Sequence, residues 1–148
     1  MLQALYHAGA LHLVSNIVGM LIFAPALGRR LGVLRTLSIV AAAILVGDVS
    51  QTLYNHAVGD VRPTIGASAA MFGLLGAYGA LFPFYRPCQW LLPARLLAYM
   101  MLTVSCAAAV LSPYSSIAHA AHVGGLLVGL FASRLFRVHD WKIATMKN

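Results

Sequence analysis

Four polar side chains set in or beside apolar stretches have the types and spacing for hydrolysis by a serine nucleophile: Ser68, His122, His12 and Asn16. A hydroxyl needs a base beside it to attack a carbonyl, and an imidazole can take that proton and return it to the leaving amine. In Gly66-Ala67-Ser68 the glycine permits a sharp turn, and the serine falls in the first turn of the helix that follows, at the positive end of its dipole. His12 and Asn16 are four residues apart and share a helix face, so both could donate to a developing oxyanion, with the Ser68 backbone N–H beside them. His7, on the same helix and five residues before His12, is rotated away from it by about 140°. It is read as a positioning residue for the outer loop or as an interfacial side chain.

The elements that must hold these groups are set by composition. Of the 148 residues 61% are hydrophobic and only 9% are charged, too few to give a soluble domain of this size a polar surface. Five apolar stretches, at about Ala8–Leu27, Leu34–Leu53, Ala67–Phe84, Leu91–Leu111 and Ala118–Phe136, approach the ~20 residues that cross a ~30 Å hydrocarbon core. Peptide groups in lipid must bond within the segment, so all five are expected to be helices. Turn formers punctuate the gaps: Gly28 and Gly32, Gly59 and Pro63, Pro87 and Pro93, Ser112 and Pro113. Ala121, Gly125 and Gly129 form a small face beside His122, and Ala69, Gly73 and Ala77 form its match beyond Ser68. Faces of this kind let two backbones approach closely, which would carry the hydroxyl to the imidazole. The third stretch is short for a bilayer, so its outer end should start below the surface, where water can reach it.

The net charge of +7 carries no basic run of the sort that tracks nucleic acid, and the arginines sit singly or in pairs between apolar stretches. They sort by side. Arg29, Arg30, Arg35, Arg86, Arg95, Arg134, Arg137, Lys142 and Lys147 fall on one side and only Arg62 on the other, which assigns the first to the cytoplasm, the C-terminus with it. Helices one, three and five then run inward from outside, and His12, Asn16, Ser68 and His122 lie at one depth near their outer ends. Trp90 and Trp141 suit the cytoplasmic interface, and Cys88 and Cys106 are read as reduced packing residues. A histidine metal site is not expected, since His7, His12 and His122 lack carboxylate or cysteine neighbours and no histidine pair is spaced for a metal on one helix. His56, His119 and His139 are assigned no role.

Taken together and in order, these residues resemble the rhomboid family of intramembrane serine proteases. His7-Ala-Gly-Ala-Leu-His12-Leu-Val-Ser-Asn16 is similar to the family's two-histidine-and-asparagine helix, Gly66-Ala-Ser68 to its nucleophile turn, and Ala121-His122-Val-Gly-Gly125-Leu-Leu-Val-Gly129 to its base-bearing helix. The resemblance covers nearly the whole chain. It implies an all-α membrane protein, a rhomboid-like polytopic bundle with about five transmembrane helices, residues 1–148 forming one transmembrane domain. By the same resemblance Ser68 is the nucleophile, His122 the base, His12 and Asn16 the oxyanion donors, and Phe72 the aromatic beneath the base. Gly66, Gly125, Gly129 and His7 support them. The implied activity is cleavage of single-span transmembrane proteins in or near the bilayer by a Ser–His dyad, without cofactor or metal; Asp48 would not be needed as a third member.

Two departures stand out: Ala69 replaces a second glycine after the serine, and Gly28 replaces an acidic residue near Arg30. The family's six-helix core also opens with a helix and a long outer loop that have no counterpart in residues 1–148, so an earlier outward-running helix is expected upstream. The competing class is a rhomboid-like scaffold that binds transmembrane partners without cutting them. Relatives of that kind are expected to lack the serine or the histidine, and both are present here.

Overall fold

The structure, a computed structural model, describes residues 7, 9–62, 66–89 and 91–146, with side chains through Arg137. Trp90, Trp141, Lys142 and Lys147 lie outside the described side chains, as do His139 and Pro63. The described residues form five helices and no strand: α1 (Ala10–Leu31), α2 (Val33–Val58), α3 (Ser68–Leu81), α4 (Ala94–Leu111) and α5 (His119–Met146). Four carry spans long and apolar enough to cross a membrane, in α5 over His119–Arg137. The fifth, α3, has 14 residues, a rise of about 21 Å. Apolar side chains such as Leu11, Leu34 and Leu53 are 83%, 83% and 66% exposed, as expected where lipid is the outer solvent.

The helices differ from the sequence expectation at Gly28, which the pattern of turn formers places in a gap. Gly28 lies inside α1, which runs on through Arg29 and Arg30 to Leu31. A single glycine costs a helix only about 1 kcal/mol, and Gly28 still accepts a hydrogen bond, from the Gly32 N–H at 3.0 Å. The break falls at Gly32, with φ 88°, and α2 begins at the next residue, so the first connection is one residue long. Residues with a side chain disfavour that backbone region.

At the other end of the chain's first helix, α1 starts at Ala10, after an extended Gly9. His7 therefore precedes the helix, and the expected rotation of its side chain about a helical axis does not apply. Cys88 and Cys106 are both free; Cys106 is exposed rather than packed.

The bundle is built around α3, whose run from Ser68 to Gly79 is buried at every position except Met71. It touches all four other helices, most extensively α5. The reason is the absence of side chains along their shared face. A Cβ on Gly125 would strike the Ala69 carbonyl, and one on Gly129 would strike the Gly73 carbonyl and the Ala77 nitrogen. On the reverse face, a Cβ on Gly73 would meet the Ala43 methyl of α2 at 2.5 Å.

One turn beyond Gly129, the buried Ser133 hydroxyl donates to the Gly129 carbonyl at 2.8 Å and reaches the Ala77 carbonyl at 3.5 Å, which extends the seam. Ala69 finds its room in α2: its methyl occupies the space that a side chain on Gly47 would fill, 2.6 Å from a Cβ placed there. The methyl that departs from the expected second glycine is thus matched by a missing one across the interface.

Candidate active site

Gly66 turns the chain into α3 with φ 104°, a conformation that favours glycine, and its backbone lies against the His12 ring. A Cβ there would sit 2.6 Å from the His12 Cε1. Glycine is therefore required twice, by conformation and by contact. Ser68 is then the first residue of α3, 6% exposed, at the end of the helix where unpaired N–H groups gather.

The α3–α5 seam delivers His122, fourth residue of α5 and 9% exposed, to that serine. Its Nε2 lies 2.9 Å from the Ser68 Oγ. In the tautomer with the ring proton on Nδ1, the hydroxyl donates to Nε2, the arrangement a general base needs. Phe72, one turn beyond Ser68, stacks on the imidazole with centroids 4.1 Å apart and planes 5° from parallel. The stack fixes the ring plane from one side. His119 meets the same ring edge-on at 6.0 Å, and its Nε2 lies 3.4 Å from the Ser115 Oγ.

The Ser68–His122 pair opens into a cavity of about 880 Å3, into which α1 also brings His12 and Asn16. Asn16 is 3% exposed, and its Nδ2 has no hydrogen-bond partner. Buried amide donors are nearly always paired, so this nitrogen is a donor with unused capacity on a residue that lines the cavity. His7 packs edge-on against His12, with centroids 5.2 Å apart. Of the residues singled out from sequence, His12, Asn16, Ser68, Phe72 and His122 line this hollow, His7 and Gly66 lie against His12, and Gly125 and Gly129 lie in the α3–α5 seam. Asp48 is half-buried on α2 and does not line the cavity.

Sequence reading missed the side of the cavity supplied by α2. Gln51, 7% exposed, accepts from the Ala121 N–H at 3.2 Å and donates to the Asn55 Oδ1 at 2.7 Å. Ala121 stands in the first turn of α5, where the helix has no carbonyl of its own to offer. Gln51 thus caps, from another helix, the turn that bears His122. Asn55 in turn donates to the Arg62 carbonyl at 2.9 Å in the loop that leads to Ser68.

Arg62 is clamped to Asp60 through a 2.6 Å ion pair and reaches the Ser115 carbonyl at 3.4 Å, so the loops before α3 and α5 are tied over the cavity. The side-chain hydrogen bond from Arg62 holds the Asp60 carboxyl below its ordinary range. A signal for Gln51 and Asn55 was present: an amide within an apolar span is costly unless it has work inside the bundle.

Against known proteins, a family model described as a Rhomboid domain matches residues 1–138. The chain is 28% identical over 133 residues to the mitochondrial Rhomboid protein 1 of Saccharomyces cerevisiae, an alignment covering 86% of this chain and 38% of that protein. It is 40% identical over 74 residues to the rhomboid YdcA of Bacillus subtilis, covering 50% of this chain and 36% of that one. The chain thus spans little more than a third of the length of these relatives. No solved structure matches it.

Proposed function

The chain belongs to the rhomboid family, and from that premise we propose that it is an intramembrane serine endopeptidase that cleaves single-span transmembrane proteins with Ser68 and His122. The observation that carries this reading is the 2.9 Å approach of the His122 Nε2 to the Ser68 Oγ within a cavity beside an unpaired Asn16 amide. The family is generally one of serine proteases working in the bilayer, and multi-pass membrane insertion accords with the four apolar spans.

In the proposed reaction the Ser68 oxygen bonds to the substrate carbonyl carbon as its proton passes to His122. The resulting oxyanion is met by the Asn16 amide, by His12 and by the Ser68 N–H at the start of α3. Collapse breaks the C–N bond, and His122 gives its proton to the leaving amine. Water then attacks the acyl-serine, losing a proton to His122, which returns one to Ser68. No cofactor or metal enters this scheme. Phe72 keeps the ring aligned; His7, Gly66, Gly125 and Gly129 support the geometry.

The orientation that goes with this reading has the arginine-rich end in the cytoplasm. Arg35 lies over the Phe136 ring at 5.2 Å, Arg95 over Phe84 at 5.7 Å, and Arg137 donates to the Ala80 carbonyl, so these arginines meet at one end of the bundle. Under the positive-inside bias, the site then faces the outer leaflet and the C-terminus lies inside.

An active-site label tests the chemistry without knowledge of the substrate. In detergent, a fluorophosphonate probe should label the wild-type chain, and both Ser68→Ala and His122→Ala should abolish labelling. Wild-type protein that stays folded yet takes no label would turn the assignment toward a scaffold that binds transmembrane partners without cutting.

A further inference from the structure

At the end of the bundle opposite Ser68, α3, α4 and α5 enclose a second cavity, of about 230 Å3. Three exposed arginines are among its lining residues: Arg95, second residue of α4, and Arg134 and Arg137, three apart on α5. No acidic residue is among the described residues that line it. Arginines at the end of a membrane helix ordinarily extend separately into water, which keeps like charges apart. Here two helices turn them toward one hollow.

Local contacts account for only part of that arrangement. Arg137 donates to the Ala80 carbonyl at 2.7 Å, in the last turn of α3 where carbonyls lack helical partners, and Arg95 lies over the Phe84 ring. The carbonyl and the ring orient these two cations but carry no formal negative charge. The opening is below the ~300 Å3 typical of pockets for whole small molecules. It suits one phosphate group, which arginine forks bind with parallel N–H donors.

Depth then selects the source of the phosphate. The apolar span of α4 begins at Ala94 and that of α5 ends at Arg137, so the cavity stands where a bilayer keeps its phosphates. Leu96 and Phe131, 52% and 64% exposed, lie within a turn of these arginines and offer apolar surface to acyl chains. We propose that Arg95, Arg134 and Arg137 form a binding site for the phosphate of an anionic membrane lipid. The site is independent of the protease reading.

Purified chain in neutral detergent should bind fluorescent phosphatidylglycerol and not the phosphatidylcholine analogue. The pair Arg95→Gln with Arg134→Gln should weaken that binding roughly thirtyfold. The pair Arg30→Gln with Arg86→Gln removes the same charge from outside the cavity and should change it by no more than about twofold. Equal losses in the two pairs would reduce the effect to net charge and overturn the site. Displacement of the lipid by millimolar inorganic phosphate would overturn the lipid assignment. A measurement on wild-type protein stands even if the first pair does not fold: its thermal midpoint should rise with phosphatidylglycerol and not with phosphatidylcholine. Equal midpoints would refute the proposal.

Discussion

The Asn16 side chain is 3% exposed with an amide nitrogen that bonds to nothing in the resting protein. A buried donor left unpaired works against folding; on the proposed reading its retention is explained by a charge that appears only during the reaction. The consequence is a separation of two readouts. Asn16→Ala should lower the cleavage rate about a hundredfold, the usual effect of removing one oxyanion donor. Its thermal midpoint should stay at or above that of the parent, since no native hydrogen bond of that nitrogen is lost. An Asn16→Ala protein that unfolds markedly earlier would show that the amide serves the fold instead. His122 differs in kind: its ring is held by the Ser68 hydroxyl on Nε2 and by the Phe72 face, so the pairing exists before any substrate arrives.

Between elements, the α3–α5 seam determines where the serine and histidine stand, and it is a contact of backbone on backbone. Gly129→Ala would drive a methyl into the Gly73 carbonyl and should destabilise the protein by about 1–3 kcal/mol, the range for overpacked cores. Gly28→Ala meets nothing within 4 Å and should hold stability or raise it by up to about 1 kcal/mol. Thermal unfolding of the two variants in one detergent compares them, and equal midpoints would refute the seam's role. Gln51 ties α2 to the start of α5. Gln51→Leu leaves the Ala121 N–H buried and unpaired, so a loss of about 1–3 kcal/mol is expected. Chemical denaturation measures it, and an unchanged midpoint would show that another acceptor takes the bond.

For the whole molecule, most of the helices and the meeting of Ser68 with His122 were legible in sequence, because apolar length marks spans and paired small-residue faces mark a close crossing. Two classes of feature were not. The ends of α1 escaped: Gly28 reads as a stop and is helical, and His7 reads as part of a helix that begins three residues later, since local composition fixes boundaries poorly. The wall given by Gln51 and Asn55 also escaped, because which amide meets which backbone group depends on the packing of α2 against α5.

What joins all three scales is the claim that this bundle exists to let one hydroxyl attack a peptide bond inside the membrane. Its most direct test is cleavage of a single-span model substrate in proteoliposomes by the wild-type chain and by Ser68→Ala. The account predicts discrete products from the wild type and a drop of about a thousandfold or more in the variant, the scale seen when a serine nucleophile is removed. Equal cleavage by the two would contradict it.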